Sequence, residues 1–212
     1  MRTERTNEQF EKELADLIKA RGISAFSVAE LAATLRCSRR RLYEIAATKD
    51  GLLHHVAKAH FDAMLQHGYE AAAGETDPAR AIVAYLYVGV TSTEPLSQAF
   101  LKDLESTSRG RQIFDRYQTG RAAGIRQIVD QGIRLGVFNS HNSLVAAEVL
   151  LGLSMRIRRP EFLARAGLTI SEAFRESYEM VLQGLLKEPK TKRPTRRADG
   201  PRTATNRRSP RA

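Results

Sequence analysis

The segment 26–53, with the sequence FSVAELAATLRCSRRRLYEIAATKDGLL, constrains the fold of this chain more than any other part of it. Ser27 and Glu30 have the spacing of a capping box, which satisfies the first free N–H groups of a helix. Phe26 before the cap and Leu31 after it match a hydrophobic staple. A short helix is therefore predicted from residue 28. Its inward face is predicted to consist of Val28, Leu31, Ala32 and Leu35.

A second short helix is predicted directly after a tight turn, with Ser38 as its N-cap. Leu42 and Ile45 have the spacing of core residues. The outer face is left to Arg39, Arg40, Tyr43 and Glu44. Two short helices across a tight turn, the second with a basic outer face, are typical of a helix-turn-helix, which places its second helix in the DNA major groove. The alternative is a three-helix packing unit whose basic face is simply solvated.

A third, longer helix is predicted from a cap at Thr48. Lys49 lies in its first turn, where a cation opposes the helix dipole. The sequence therefore suggests that Lys49 is kept for an external anion such as a phosphate.

Residues 8–55 resemble the DNA-binding domain of the tetracycline-repressor (TetR) family. The resemblance rests on the helix over 8–21 before Gly22 and Phe26, on the run SVAELA from Ser27, on Ser38 with Leu42 and Tyr43, and on Lys49, Asp50, Leu52 and Leu53. It implies an all-α chain of about nine helices that acts as a homodimeric, ligand-responsive transcriptional regulator, usually a repressor. It also implies a helix-turn-helix DNA-binding domain over 1–50 (the reader domain) and a ligand-binding and dimerisation domain over 51–187 (the regulatory domain).

The resemblance also assigns the residues that would face DNA. Arg39 and Arg40 are the candidates for base contacts, because arginine can bind guanine O6 and N7 together. Tyr43 and Lys49 would contact phosphate. Arg41 is not among the family's positions; it lies more to the side of the helix and is therefore expected to meet the DNA backbone. The hydroxyls of Ser27 and Ser38 complete the set of phosphate contacts.

Two positions depart from the family pattern. Arg36 stands in the turn where glycine is frequent, and a left-handed backbone there would cost about 1 kcal/mol. Ala46 stands where an aromatic residue is usual, so the packing of the predicted second helix against the third is expected to differ.

The net charge of +10 is unevenly distributed along the chain. Residues 187–212 hold ten Lys and Arg against two Asp and Glu, and four of the seven prolines. Such a segment buries too little apolar surface to become ordered, so a basic disordered tail is predicted over 188–212. The tail either adds non-specific affinity for DNA phosphates or is a solubilising extension.

The remaining composition signals favour a cytoplasmic protein. No apolar run approaches the roughly 20 residues of a membrane span, and the charged start MRTERTNEQF is unlike a signal peptide. Cys37 is the single cysteine, so no intramolecular disulfide can form. Its place in the predicted turn suggests a small buried apolar side chain.

Helices are predicted throughout the regulatory domain, over 49–73, 78–91, 95–106, 143–158 and 170–186. A long helix capped by Ser108 and stopping before Gly136 is predicted between the third and fourth of these. The resemblance places the dimer interface on the last two. The helix over 143–158 is apolar nearly all round, which favours an oligomer. The helix over 170–186 carries an apolar stripe of Ile170, Phe174, Tyr178, Val181 and Leu185.

The resemblance implies an effector pocket between the reader domain and the dimer face. The candidate lining residues are His60, Met64, His67, Tyr85, Phe114, Tyr117 and Glu148. Histidines on an apolar helix face are more often satisfied core or edge residues. Glu148, as the one charge in a long apolar run, must lie at an edge, be paired or face a polar cavity.

An enzyme is the main competing class. The sequence has no Gly-rich phosphate loop, metal-ligand spacing or nucleophile motif, so no catalytic residue, metal or cofactor is predicted. A general DNA-binding protein that uses the basic tail, a ligand-blind regulator and an activator are further alternatives. The expected partners are double-stranded DNA, a second copy of the chain and an unidentified small-molecule effector.

Overall fold

A computed structural model describes residues 6–185, and every regular element in that range is an α-helix. The helices are α1 (Asn7–Arg21), α2 (Val28–Thr34), α3 (Arg39–Ile45), α4 (Lys49–Ala73), α5 (Pro78–Thr93), α6 (Gln98–Ser106), α7 (Ser108–Arg134), α8 (Ser143–Ile157), α9 (Pro160–Ala166) and α10 (Ile170–Leu185). The predicted all-α class is confirmed, with ten helices in the described range where about nine were expected. The predicted disordered tail over 188–212 lies outside the described residues.

The capping signals in the sequence place most of these helix starts. Ser27 Oγ accepts a hydrogen bond from Glu30 N–H at 3.2 Å, and Glu30 Oε2 accepts one from Ser27 N–H at 2.8 Å, which completes the predicted capping box. Hydroxyl caps are also present at the starts of three further helices, from Ser38, Thr48 and Thr169. Local hydrogen bonds therefore set these boundaries, as the sequence indicated.

Two predicted helix starts were wrong, and one short helix, α9, was not predicted. Helix α6 begins after Ser97, whose hydroxyl caps it, and not at Pro95. Helix α7 is capped by Thr107, so Ser108 is its first residue rather than its cap. Pro160 does end the preceding helix, but it also occupies the first turn of the short helix α9, where its missing N–H costs nothing.

The first three helices share one apolar core. It contains Phe10, Leu14, Ile18, Leu31, Leu35 and Leu42, all buried. Burial of each such side chain contributes about 1.5–3 kcal/mol. Arg36 between α2 and α3 has φ 50°, which confirms the left-handed backbone predicted there. The free energy gained by burying these core side chains therefore exceeds the cost of about 1 kcal/mol for the left-handed backbone at Arg36.

The second departure from the family pattern, Ala46, lies where α3 ends against the first turn of α4. A β-carbon added at Gly51 would lie 3.0 Å from the Ala46 β-carbon, so two small residues face each other at this contact. A larger side chain at either position would push α4 away from α3.

Helix α4 leaves the reader domain and packs against α5 and α7, and α8 and α10 complete the regulatory domain around them. Helix α6 contacts α1 as well as α4 and α7, so it lies between the two domains. In the part of the chain that the structure describes, no helix is long and apolar enough to cross a membrane.

A glycine-to-alanine change in α7 tests the packing of this body. A β-carbon at Gly132 would lie 2.1 Å from Cδ2 of Phe138, whose ring is buried. We expect Gly132→Ala to lower the free energy of unfolding by about 2 kcal/mol through overpacking. Gly184→Ala is the control, because nothing lies within 4 Å of its β-carbon position. Urea unfolding of both variants measures the difference, and equal stabilities would contradict this packing.

Candidate nucleic-acid interface and ligand region

The outer face of α3 is basic and open to solvent. Arg39 is exposed, the Arg40 side chain is 90% exposed, and Tyr43 is about half exposed. Glu44 lies one turn after Arg40, with 3.4 Å between Arg40 Nε and Glu44 Oε1. An ion pair this exposed is weak. The arginine can therefore leave Glu44 for a stronger acceptor.

The two predicted serine contacts are also exposed, and each is already used as a helix cap. In both caps the hydroxyl oxygen of Ser27 or Ser38 accepts a backbone hydrogen bond. Each hydroxyl retains its own hydrogen as a donor. Capping and donation to a phosphate oxygen are thus compatible at these positions.

Arg41 differs from its two neighbours in the arginine run. Its guanidinium carbon lies 5.1 Å from the centre of the Phe10 ring, and Nη2 donates to Asn7 Oδ1. Glu44 lies 3.7 Å from Nη1. These contacts join α3 to α1, which gives Arg41 a structural task that the sequence did not reveal.

Lys49 is partnered inside the protein. Its Nζ donates to the carbonyl oxygen of Phe26 at 2.8 Å, which joins the start of α4 to the loop before α2. This contact explains a lysine in the first turn of α4 without an external anion. The ammonium group has three donors, so two remain for other acceptors.

Positive charge in the reader domain is concentrated beside these side chains. Residues 36–49 contain five Lys and Arg and one Glu. Residues 6–35 contain three Lys and Arg against five Asp and Glu. The segment that carries α3 is therefore better suited to a polyanion than the segment that carries α1 and α2.

Helix α6 fixes the reader domain onto the regulatory domain. The buried carboxylate of Asp103 accepts a hydrogen bond from Ser24 N–H at 2.9 Å. Ser97 N–H donates to the Lys19 carbonyl at 2.9 Å. Sequence reasoning missed Asp103, although an acidic residue between Phe100 and Leu104, on the apolar side of α6, was a visible signal.

Two of the three aromatic residues predicted to line a pocket, Phe114 and Tyr117, lie together on α7 and pack against Phe61 of α4. Phe61 stacks on Tyr117 with 5.0 Å between ring centres and meets Phe114 edge-on at 5.3 Å. Burial raises the pKa of Tyr117 to about 12. Phe61 and Tyr117 line a cavity of about 440 Å³ whose rim carries Lys58, Asp62, Arg109 and Arg116.

The three candidate lining residues on α4, His60, Met64 and His67, lie in different surroundings. Met64 is buried in the core, and His60 lies mostly buried beside Phe61, with 5.5 Å between ring centres. His67 is exposed, although a seven-residue step leaves it within about 20° of His60 around the helix axis. The two histidines do not share a pocket.

The buried His60 makes stability depend on pH. Burial, together with the charge of Lys19, lowers its pKa to about 4, against an ordinary value near 6.5. Between these values the unfolded state binds a proton that the folded state does not, so stability falls as pH falls. We expect the free energy of unfolding to drop by about 2 kcal/mol from this residue between pH 7 and pH 5. Comparison of His60→Leu with the exposed control His67→Gln measures it; an equal pH dependence in both would contradict it.

Glu148 does not face the aromatic cavity. It is exposed on α8 and lines a separate groove against α7, together with Arg126 and Arg134. The edge position, one of the three alternatives that the sequence left open, is therefore the observed one. Tyr85 is buried elsewhere, and its hydroxyl donates to the Arg121 carbonyl at 3.2 Å.

The predicted dimer helices differ in what they expose. The stripe on α10 turns inward: Ile170, Phe174, Tyr178 and Leu185 are buried in the chain's own core. The spacing of this stripe is therefore explained by the chain's own core and is not by itself evidence for an oligomer. Helix α8 does leave apolar side chains in solvent, namely Leu144, Val145 and Val149.

A buried polar cluster in the regulatory domain was not predicted. Arg121 on α7 donates from Nη1 to Gln118 Oε1 at 3.1 Å and to Ser154 Oγ at 3.2 Å. Its Nη2 donates to the Tyr178 hydroxyl at 2.5 Å. Tyr178 had been assigned to an apolar stripe, and nothing in the local sequence of Arg121 distinguishes it from the exposed arginines of α7.

No protein-family model matches this chain, and neither does any curated protein sequence. Solved structures do match it. PfmR from Thermus thermophilus, a TetR family transcriptional regulator, is 21% identical with a TM-score of 0.62, over 84% of this chain and 100% of that one. The reduced form of Escherichia coli NemR is 19% identical with a TM-score of 0.64, over 84% and 96%.

The transcriptional regulator FadR from Bacillus subtilis, in complex with stearoyl-CoA, is 13% identical with a TM-score of 0.64, over 84% of this chain and 99% of that one. These proteins match across both the reader and the regulatory domain, at identities that carry the fold but not the function. The chain therefore has the fold of the TetR family transcriptional regulators.

Proposed function

We propose that this chain is a sequence-specific DNA-binding transcriptional regulator that responds to a small-molecule effector. In its simplest form it is a repressor that acts as a homodimer on a palindromic operator. The observation that carries the proposal is the exposed pair Arg39 and Arg40 on the second helix of a helix-turn-helix. Arginine at that place can read guanine in the major groove.

The basic side chains around α3 fall into two groups, and this difference supports the proposal. Arg41 and Lys49 are bound to other parts of the reader domain, so they hold α3 in place. Arg39 and Arg40 have no contact with the core, which leaves their side chains for base edges. The position of Arg41 over Phe10 fixes the orientation of α3. Such a fixed orientation is useful for a helix that binds DNA, whereas a helix that is only solvated does not need it.

The apolar face of α8 supports the proposed homodimer. Leu144, Val145 and Val149 are each about half exposed and lie within two turns of one helix. A second copy of the same face would cover them. Two reader domains related by a twofold axis would then bind two half-sites, which predicts a palindromic operator.

Effector control is proposed to act through α4 and α6. Helix α4 runs from the Lys49 contact in the reader domain to the stacked Phe61 and Tyr117 in the regulatory domain. Helix α6 holds the reader domain through Asp103. A ligand that prefers a different arrangement of these helices would change the spacing of the two α3 helices and so lower DNA affinity. The stearoyl-CoA bound to FadR supports a small-molecule effector for this fold.

Selection of bound DNA from a random pool tests the proposal. The full chain should enrich a palindrome whose half-sites lie about one helical turn apart, with a preference of about 10³ or more over random sequence. Recovery of no motif, or equal binding to all sequences, would indicate a general DNA-binding protein. A non-palindromic motif would contradict the homodimer while leaving the regulator in place.

A further inference from the structure

Two arginines are buried in the regulatory domain, and their surroundings differ in charge. Arg158 is 8% exposed, pairs with Glu105 and has Asp115 at 3.6 Å. Arg121 is 4% exposed, and none of residues 6–185 offers it a carboxylate. A guanidinium stays ionised in a protein interior. A buried charge without a counter-charge is unfavourable, so the positive charge of Arg121 calls for an anion from outside the described chain.

The atoms left without a partner around Arg121 are hydrogen-bond donors. Its Nε has no acceptor, and neither has the amide nitrogen of Gln118, which is 1% exposed. The guanidinium has five N–H donors, of which three are used. An occupant that satisfies this cluster must therefore supply acceptor oxygens together with negative charge.

The chain can admit a methyl group beside the unused donor. Gly89 on α5 faces Arg121, and a β-carbon there would lie 3.7 Å from Arg121 Nε and 3.6 Å from the Tyr178 hydroxyl. Those are ordinary contact distances, so the volume of a methyl group beside Nε is unfilled. Alanine has a higher helix propensity than glycine, but this position inside α5 is occupied by glycine.

We propose that the Arg121 centre, consisting of Gly89, Gln118, Arg121, Ser154 and Tyr178, binds the carboxylate of the effector. One cation is neutralised by a monoanion, whereas a phosphate dianion would leave a buried negative charge. Buried apolar side chains flank the centre: Val90 follows Gly89, Ile125 lies one turn after Arg121, and Phe174 lies one turn before Tyr178. The effector is therefore an organic monocarboxylate with an apolar body. This inference rests on the proposed function, because it names the class of effector for that regulator.

The position of the centre explains how such a ligand would act. Arg121, Ser154 and Tyr178 lie on α7, α8 and α10, and Gly89 lies on α5. A carboxylate is larger than a methyl group, so its entry must move α5 relative to the other three helices. The ligand would therefore bind one arrangement of the domain more tightly than the other. An effector must have such a difference in affinity to shift the equilibrium between two arrangements.

Calorimetric titration of the full chain tests the assignment with two carboxylates, benzoate and octanoate, and their neutral amides, benzamide and octanamide. At least one carboxylate should bind tenfold or more tightly than its amide. Arg121→Met should remove that preference, and Arg158→Met, a buried arginine with its own carboxylates, should retain it. Equal binding of acid and amide, no binding of either acid, or full retention in Arg121→Met would overturn the proposal.

Gly89→Ala provides a variant that keeps the arginine. Its β-carbon clashes with nothing, so we expect an unchanged or raised melting temperature and at least tenfold weaker carboxylate binding. Carboxylate binding as in the unmodified chain would overturn the assignment even if Arg121→Met failed to fold. Loss of binding in Arg116→Met, but not in these variants, would place the anion in the cavity between α4 and α7 and would also overturn it.

DNA binding by the same samples, measured by fluorescence anisotropy, separates this inference from the function on which it rests. Carboxylate binding that depends on Arg121 but leaves DNA affinity unchanged would refute effector control and keep the site. Selective DNA binding without any carboxylate binding would refute the site and keep the regulator.

Discussion

Replacement of Arg39 and Arg40 together by alanine is expected to remove base-selective DNA binding and to leave the fold intact. Each bidentate contact of arginine with guanine contributes about 1–3 kcal/mol of discrimination. The pair would therefore contribute about 2–6 kcal/mol, or roughly 30-fold or more in affinity for the selected operator. Arg40→Ala alone should relax the preference at a single G-containing position by about 1–3 kcal/mol. Melting temperatures should not change, since both side chains are exposed.

Arg126→Ala is a matched control for this experiment. Arg126 is exposed and faces Asp130 one turn later on α7, with 3.8 Å between Nε and Oδ2, as Arg40 faces Glu44. Arg126→Ala and the Arg39, Arg40 double variant each lose one similar surface ion pair. They differ in whether the lost arginine lies on α7 or on α3. Affinity for operator and for random DNA is measured at several salt concentrations. If the double variant lost both affinities equally, the arginines would contact phosphate, and the base-reading assignment would be wrong.

The start of the chain was predictable because its determinants are local. Capping boxes and hydroxyl caps join residues three apart, as Ser27 and Glu30 do, so the sequence alone places the starts of α2, α3, α4 and α10. The left-handed backbone at Arg36 was indicated by the family resemblance, because glycine is frequent at this position of the turn. The outward direction of Arg39 and Arg40 followed from the inward direction of Leu42.

What sequence reasoning missed depends on residues far apart in the chain. Asp103 binds Ser24 across 79 positions, and Arg121 binds Tyr178 across 57. No periodicity predicts which polar residue will be enclosed when helices pack. Arg41 illustrates the same limit at closer range. Its place beside Arg39 and Arg40 suggested DNA contact, and only the packing of α1 against α3 reveals that it lies over Phe10.

The change Val145→Glu with Val149→Glu is expected to convert a dimer into monomers and to weaken operator binding strongly. The two valines lie four residues apart on α8 and are 57% and 52% exposed in the single chain. An interface around a twofold axis would contain two copies of each valine, one from each subunit. Burial of a valine contributes up to about 1.5–3 kcal/mol, and four carboxylates facing one another at the same place add repulsion and desolvation cost. A loss of at least about 10²-fold in dimer affinity follows, since each 1.4 kcal/mol is tenfold.

Val83→Glu separates loss of the dimer from a general effect of added charge. Val83 is 48% exposed but lies on α5, outside the proposed interface. Sedimentation and DNA affinity should therefore remain those of the unmodified chain in Val83→Glu, while the α8 variant sediments as a monomer with an unchanged helical spectrum. Because a monomer presents one reader domain, its affinity should approach that for a half-site. A folded α8 variant that still sedimented as a dimer would move the interface to another face, and the exposed valines would then need a different partner.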